Sequence, residues 1–160
     1  MNVRRSIAAA AAVLAAPALS SCGFDAPTEQ IYNPTVGVFD KSGSVEVLNV
    51  LVVADAAGGG TVIATLVNSD LVNDDALTGV TGSGESAEAT FEIDGTVDIP
   101  AGGLVNLAEE GPIAVDATDE LVPGLLIPVT FAFERSAQVT LQVPIVEQTD
   151  EGPYADVPVS

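Results

Sequence analysis

Carboxylates are the only abundant groups in this sequence that could do chemistry. The 160 residues include 23 Asp and Glu, 4 Lys and Arg, one Cys and no His, so the net charge is −19. Four segments group oxygen atoms that could bind Ca²⁺ or Mg²⁺: Asp40–Ser44, Asn73–Asp75, Glu109–Glu110 and Asp116–Glu120. None has the residue order of an EF-hand loop, and a chain this acidic produces such clusters by chance. We therefore interpret them as solvated surface acids and predict no metal site and no cofactor.

The missing residue types exclude most catalytic sites. Without His there is no imidazole base and no Ser-His-Asp triad. Lys41 is the only base that could activate a Ser or Thr, and no G-x-S-x-G motif occurs. Two carboxylates could hydrolyse a glycoside, but sugar grooves are usually lined by aromatic residues, and the chain has no Trp and only Tyr32 and Tyr154. We predict no catalytic residue and a protein that is not an enzyme.

The N-terminal residues have the order of a secretion signal. Arg4 and Arg5 precede an Ala-rich apolar run that is shorter than the roughly 20 apolar residues needed to span a bilayer. A buried N-terminal helix is the alternative. We predict that residues 1–21 are a signal peptide. Its removal would leave two basic residues against all 23 acids, so the side chains of the mature chain would carry −21.

The end of this predicted signal peptide has the sequence Leu19-Ser20-Ser21-Cys22. This resembles the lipobox of bacterial lipoproteins, a Leu and two small residues before a Cys. The resemblance implies that Cys22 is the lipidation site, with a diacylglycerol on its sulfur and cleavage just before it. Two or more acyl chains hold a protein stably at a membrane. The protein is then expected to be extracytoplasmic and anchored by lipid to the outer face of the cell membrane. The alternative is an ordinary cleavage site beside a chance Cys.

The predicted mature chain divides into a tether, one domain and a tail. Residues 22–34 contain Pro and acids without hydrophobic periodicity, which predicts a flexible tether. Residues 147–160 are rich in acids, Gly and Pro, which predicts a disordered acidic tail. Residues 35–146 remain as a single folded domain, and their number is enough for one hydrophobic core.

The predicted domain has a hydrophobic period of two and no helical pattern. Short apolar runs recur between turn signals, which predicts an all-β antiparallel sandwich of roughly seven to nine strands. Gly58–Gly60 and Asp94-Gly95 are each predicted to close a hairpin. Pro128 and Pro144 interrupt strand patterns and indicate edge strands or strand starts. The predicted large core residues are Phe91, Phe131 and Phe133.

Five segments of the predicted domain share their order and spacing with a known family. They are Ala64–Asn68, Pro100–Leu107, Leu121–Gly124, Ile127–Glu134 and Ala137–Ile145. The last four together resemble the second half of the PCu(A)C-type periplasmic copper chaperones, in which an IPAGG-x-V-x-L stretch precedes an L-x-x-G turn and a strand that ends in F-E. The first resembles that family's T-L-x-N strand. The resemblance implies a cupredoxin-like or immunoglobulin-like Greek-key β-sandwich.

The copper ligands of that family are missing from this chain. Its members use two His and two Met, the last pair as His-x-Met after the Gly-rich hairpin, and that region falls near Ile113–Val115. Cu(I) prefers such soft ligands, yet the chain has no His and its only Met is Met1. The chain is more similar to a group of actinobacterial lipoproteins that have this domain without the ligands, whose N-terminal part resembles Ile31–Val38 and Ser42–Asn49.

These features together predict a membrane-anchored extracytoplasmic lipoprotein with a copper-chaperone-like β-sandwich. The sandwich is expected to be a non-catalytic binding or envelope-assembly module that no longer binds copper. Its expected partners are the membrane, through Cys22, and another envelope protein. The strong negative charge excludes a nucleic acid partner, because phosphate binding needs clustered Lys and Arg. The alternative is a metal-handling protein, related to copper chaperones, that binds cations weakly through carboxylates.

Overall fold

The computed structural model describes residues 36–56, 58–83, 89–116 and 121–159. The strands are β1 Val38–Asp40, β2 Val45–Ala54, β3 Gly59–Asn68, β4 Asp75–Gly82, β5 Thr90–Glu92, β6 Val97–Ile99, β7 Leu104–Asn106, β8 Ile113–Asp116, β9 Leu126–Phe133 and β10 Val139–Glu147, and the helix α1 is Leu107–Glu110. Within the described residues, no helix is long and apolar enough to cross a membrane. The predicted signal peptide, the tether and Cys22 lie outside the described residues.

The strands form a curled sheet whose two layers share β10. One layer has the order β5-β8-β3-β2, with β1 beside β2 and β7 beside β3, and the other has the order β9-β4-β6. β10 pairs antiparallel with β9 through Val139–Pro144 and then parallel with β2 through Ile145–Glu147. A strand that changes sheets in this way joins the two layers of a sandwich. The predicted all-β sandwich is confirmed, with a parallel pair that the prediction did not contain.

The core between the layers consists mainly of Val, Leu and Ile. Phe131 is fully buried, Phe133 is buried, and Phe91 packs against the same cluster. The three predicted large core residues are therefore confirmed. The Gly-rich hairpin is also confirmed, because β2 and β3 pair up to the Ala54–Gly60 pair beside the turn.

A bulge in β2 changes which of its side chains face the core. Asn49 has a φ of 51°, in the left-handed region, and the pairing of β2 with β3 shifts between Leu48 and Leu51. Gly37 lies directly against this bulge, where a Cβ would stand 2.7 Å from the Asn49 carbonyl carbon. Only glycine allows the backbone to approach so closely.

The bulge divides the apolar residues of β2 between two clusters. Those in the main core are Val45, Val47, Val50, Val52 and Ala54. Leu51 and Val53 instead form a second cluster with Ile63 of β3. Because side chains alternate between the faces of a strand, this second cluster lies on the outer face of the β2–β3 hairpin.

Residues 148–159 cover the second cluster. The Gln148 side-chain Nε2 donates to three backbone carbonyls of this segment, with the shortest bond, 2.7 Å, to Val157. The Thr61 hydroxyl donates to the Pro158 carbonyl at 2.6 Å. The side chains of this segment that pack on the cluster are Tyr154, Val157 and Val159. The structure thus differs from the predicted disordered tail, because apolar residues spaced among the acids reach an apolar surface that composition does not reveal.

Two local predictions are wrong. β5 pairs with β8 and β6 pairs with β4, so Asp94-Gly95 connects the two layers and does not close a hairpin. A turn signal favours a change of direction, but the partners of the flanking strands are set by burial. Leu107–Glu110 form a helix of 4 residues where none was predicted, and Asn106 caps it by accepting a bond from the Ala108 amide at 3.2 Å. One helical turn is too short to show a period of 3.6.

Pro128 and Pro144 lie inside strands that have neighbours on both sides. The expectation of edge strands or strand starts is therefore wrong for both prolines. Each stands where the ladder on one side stops. β4 pairs with β9 only as far as Val129, and β2 pairs with β10 only from Ile145. The missing amide hydrogen of each proline therefore removes no bond from these ladders.

Candidate functional site

The region where the resemblance would place His-x-Met is part of the main core. Ile113 and Val115 of β8 are each 0% exposed. β8 is paired with β3 on one side and with β5 on the other, and Phe91 lies opposite Val115. These side chains carry no atom that can bind a metal ion. In the part of the chain that the structure describes, no group of three His, Cys, Asp or Glu is placed to hold a metal ion.

In two of the acidic segments noted in the sequence, a carboxylate accepts hydrogen bonds from neighbouring residues. Asp40 Oδ1 accepts bonds from the Ser42 hydroxyl at 2.6 Å and from its amide at 2.8 Å, and these hold the pKa of Asp40 below its ordinary value. Glu109 accepts a bond from the Asn106 side chain at 3.1 Å. In the segment Asp116–Glu120, only the first residue lies within the described part, at the exposed end of β8.

Four connections between strands meet at one end of the sandwich. We call this the loop end, and it consists of residues 41–44, 69–74, 100–103 and 134–138. Backbone hydrogen bonds join the connections to one another. Ser69 donates to the Ser44 carbonyl at 2.7 Å, and Gly102 donates to the Asp70 carbonyl at 2.8 Å. The loop end is therefore an ordered part of the fold.

Asp75, the first residue of β4, anchors the loop end as a buried acid that is 7% exposed. Its Oδ1 accepts bonds from the amides of Ala76 at 2.8 Å and Arg135 at 3.0 Å. Its Oδ2 accepts bonds from the Ser136 amide at 2.9 Å and hydroxyl at 2.6 Å. Burial alone would raise the pKa of Asp75, but these bonds outweigh burial and lower it. A carboxylate accepts about four hydrogen bonds, so Asp75 has no free position for a cation.

Asp70 fixes the shape of the connection between β3 and β4. Its Oδ2 accepts a bond from the Asn73 side chain at 2.9 Å, and its Oδ1 accepts from the amides of Val72 at 2.9 Å and Asn73 at 3.2 Å. These bonds, led by that of the Asn73 side chain and assisted by the charge of Arg135, lower the pKa of Asp70. This is the local Asx bonding that makes Asp a frequent turn residue.

Asn68 ties the same connection to the interior. It is 2% exposed, and its Nδ2 donates to the carbonyls of Asn73 at 2.9 Å and Ile99 at 3.3 Å. Its Oδ1 accepts a bond from the Asp70 amide at 3.0 Å. A buried amide with this many partners holds one arrangement of the loop, because any other would leave buried polar atoms unpaired.

The ordered loop end presents apolar side chains to solvent. Leu71 is 80% exposed and Val72 is 84% exposed, and Leu104 at the start of β7 is 62% exposed. Leu71 lies over Gly102. A Cβ atom added to Gly102 would stand 3.1 Å from the Cδ2 atom of Leu71. We call Leu71, Val72 and Leu104 the apolar patch. Sequence analysis did not identify it, although an apolar pair inside a run of Asn and Asp turn residues was a usable signal.

An acidic depression adjoins the connections that carry the apolar patch. Its volume is about 340 Å³ and it is lined by Asp74, Asp75, Ala76, Asp98, Pro100 and Glu134. Asp74 also fixes one wall, because its Oδ1 accepts a bond from the Ala101 amide at 2.9 Å. With Asp75 fully hydrogen-bonded, the carboxylates of Asp74, Asp98 and Glu134 make this part of the loop end negative.

Comparison with solved structures identifies the fold of the domain. The copper-bound PCuAC domain from PmoF2 has a TM-score of 0.56 and 20% identity, covering 69% of this chain and 98% of that domain. The apo PCuAC domain from PmoF1 has a TM-score of 0.56 and 21% identity, covering 69% of this chain and 99% of that domain. At such identities the likeness shows the fold alone, and the fold is that of a PCuAC domain.

The chain belongs to the LpqE-like lipoprotein family, which matches residues 45–145. This segment runs from the start of β2 into β10 and so includes the main core and most of the loop end. No curated protein sequence gives a significant match to the chain.

Proposed function

We propose that this protein is a lipid-anchored extracytoplasmic lipoprotein whose PCuAC-like domain is a non-catalytic binding module. It would serve another envelope protein or the assembly of the envelope, and it would not take up copper. The family supports the lipoprotein part of the proposal, and the fold supports the relation to copper-binding domains. The observation that carries the proposal is that Ile113 and Val115, where the resemblance would place a ligand pair, are apolar and fully buried.

The packing around β8 argues against a copper site in a second way. A Cu(I) site needs soft sulfur or imidazole ligands, and the ion must be able to reach them. Here the side chains of Ile113 and Val115 are closed in by the core, and no residue of the chain can supply imidazole. Carboxylates at the surface are hard ligands that suit Ca²⁺ and Mg²⁺ and are poor ligands for soft Cu(I). These features support a domain that keeps the fold without a copper site.

The chemistry of the loop end supports a non-catalytic role. A general acid or base works best when its pKa lies near the working pH. The pKa of Asp75 is lowered by the bonds it accepts, and no His is available to share a proton with it. Asp75 thus acts as an anchor of the fold and is not poised to transfer protons.

Cell fractionation of a Cys22→Ala variant tests the lipid anchor. We expect the variant to leave the membrane fraction, because the sulfur is the proposed attachment point of the acyl chains. Ser20→Ala is the matched control, since Ala is as small as Ser and keeps the lipobox pattern. The variant protein remaining in the membrane would contradict the anchor and favour an uncleaved apolar segment.

Metal titration tests the absence of a copper site. The mature chain with Cys22→Ser, which removes the only thiol, is titrated with Cu(I), Cu(II) and Ca²⁺, with the PCuAC domain from PmoF2 as the positive control. We expect no saturable uptake tighter than about millimolar, the weak limit of extracellular oxygen-ligand sites. Tighter uptake would overturn the proposal and favour the second candidate, a metal-handling protein that binds cations through carboxylates.

A further inference from the structure

We propose that the apolar patch of the loop end is the docking surface for a partner protein. The partner's contact face is apolar at its centre and carries Lys or Arg at its rim. This inference rests on the proposed function, because it states where the binding module binds and what chemistry it recognises.

The first argument is that the apolar patch is held rigidly in an exposed position. Leu71 and Val72 could not turn inward without breaking the bonds that Asp70 accepts from the Val72 and Asn73 amides. Gly102 is bonded to the Asp70 carbonyl from the other side. A surface that is already ordered loses less conformational entropy on binding. Leu71 and Val72 are neighbours in the chain, and adjacent exposed apolar side chains on an ordered loop mark a candidate interaction site.

The second argument is charge complementarity. The acidic depression places Asp74, Asp98 and Glu134 beside the connections that carry the apolar patch. A Lys or Arg at the edge of a partner's apolar face would meet these carboxylates as the two apolar surfaces come together. Because the chain has a net charge of −19, it repels an anionic lipid surface, an acidic protein and a second copy of itself. A basic rim is the complement that remains.

Other exposed apolar side chains provide a matched control. Leu126 is 58% exposed and begins β9, a strand of 8 residues whose far end leads into the loop end. At about 3.3 Å per residue, it lies roughly 23 Å from the loop end along the strand. Leu126 therefore resembles the apolar patch in residue type and exposure but lies at the other end of the sandwich.

Site-specific photocrosslinking in the cells that produce the protein tests the proposal. The full-length lipoprotein carries benzoylphenylalanine at Val72 or at Leu126. We expect one discrete adduct at Val72, at least about fivefold stronger than any at Leu126, because interface energy concentrates in a few central residues. Mass spectrometry of the adduct identifies the crosslinked site on the partner, where we expect apolar residues flanked by Lys or Arg.

Binding of charge variants to the purified partner, once crosslinking has identified it, then tests the chemistry of the contact. We expect Leu71→Arg to weaken binding at least about tenfold, because it removes an apolar contact and repels the basic rim. Leu71→Asp is expected to weaken binding less, because the new charge attracts the rim, and Leu126→Arg is expected to leave binding unchanged. Thermal unfolding of each variant confirms that the fold is intact, as expected for side chains this exposed.

Several results would overturn the docking surface. These are adducts of equal strength at both positions, no discrete adduct at Val72, an adduct to lipid or to a second copy of the chain, or a Leu71→Asp variant that binds more weakly than Leu71→Arg. A discrete adduct at Leu126 alone would overturn the docking surface and leave the binding-module function standing. Saturable copper uptake in the titration described above would overturn the proposed function itself.

Discussion

At β8, the apolar side chains of Ile113 and Val115 are closed inside the core, whereas at the loop end Leu71 and Val72 project into solvent. Apolar side chains are therefore buried in one region and exposed in the other. At β8, packing alone accounts for the residues, so changes there should act on stability. At the loop end, the hydrogen bonds of Asp70 and Asn68 hold an exposed surface in place, so changes to that surface should act on binding.

The largest effect on stability is expected in the β8 region. Ile113→Ala should lower the free energy of unfolding by about 3–4 kcal/mol, because it leaves a cavity in a fully packed core. Urea denaturation measures the change, and Val122→Ala, at a side chain that is 48% exposed, is the control with little expected effect. A loss below about 1 kcal/mol for Ile113→Ala would mean that the site is not packed like a core.

The next largest loss of stability is expected at Asp75, which anchors the loop end. Asp75→Ala removes the acceptor of four hydrogen bonds and should cost about 3 kcal/mol, since three backbone amides lose a partner at a buried position. Ser136→Ala removes one donor only and should cost about 1 kcal/mol. Equal losses for Asp75→Ala and Ser136→Ala in urea denaturation would show that the backbone bonds contribute little.

The same carboxylate should make stability depend on pH. Because the pKa of Asp75 is lower in the folded chain than its ordinary value of 3.8, its contribution is complete above that value and is lost as the pH falls through the folded pKa. Between pH 4 and pH 2, wild type should therefore lose more stability than Asp75→Asn. Asp40 and Asp70, whose pKa values are also lowered, are present in both proteins. Their contributions therefore cancel when the stability of the variant is subtracted from that of wild type. Parallel curves would contradict this role.

A smaller effect is expected where Asp70 shapes the connection. Asp70→Ala should leave global unfolding almost unchanged but raise amide hydrogen exchange at Val72 and Asn73 about tenfold, because both amides lose their acceptor. Asp70→Asn keeps an oxygen acceptor and is the matched control. Unchanged exchange in Asp70→Ala would show that the connection is held by other contacts.

The smallest effect on stability is expected at the apolar patch itself. Leu71→Ala and Val72→Ala should each change the free energy of unfolding by less than about 0.5 kcal/mol, because their side chains are 80% and 84% exposed. The same changes should weaken docking of the crosslinked partner. A loss of stability as large as that of Ile113→Ala would remove the contrast between the two regions.

The strands could be predicted from the sequence because their alternation is local. Which side chains of β2 face the main core could not be predicted. The bulge at Asn49 depends on the close approach of Gly37, and no local sequence pattern contains that contact. The interpretation of Asp75 from the sequence as a solvated surface acid is wrong, because the residue is buried and only 7% exposed. Its burial depends on the amides of Arg135 and Ser136, which lie far away in the chain.

The position of β10 has a consequence for the timing of folding. β10 completes the β9 layer on one side and the β2 layer on the other, so neither layer is finished until the end of the chain is available. Contacts between residues so distant in sequence form slowly. A chain proposed to leave the cytoplasm through a signal peptide gains from this delay, because the sandwich cannot close before β10 is present and slow folding keeps the chain open for export.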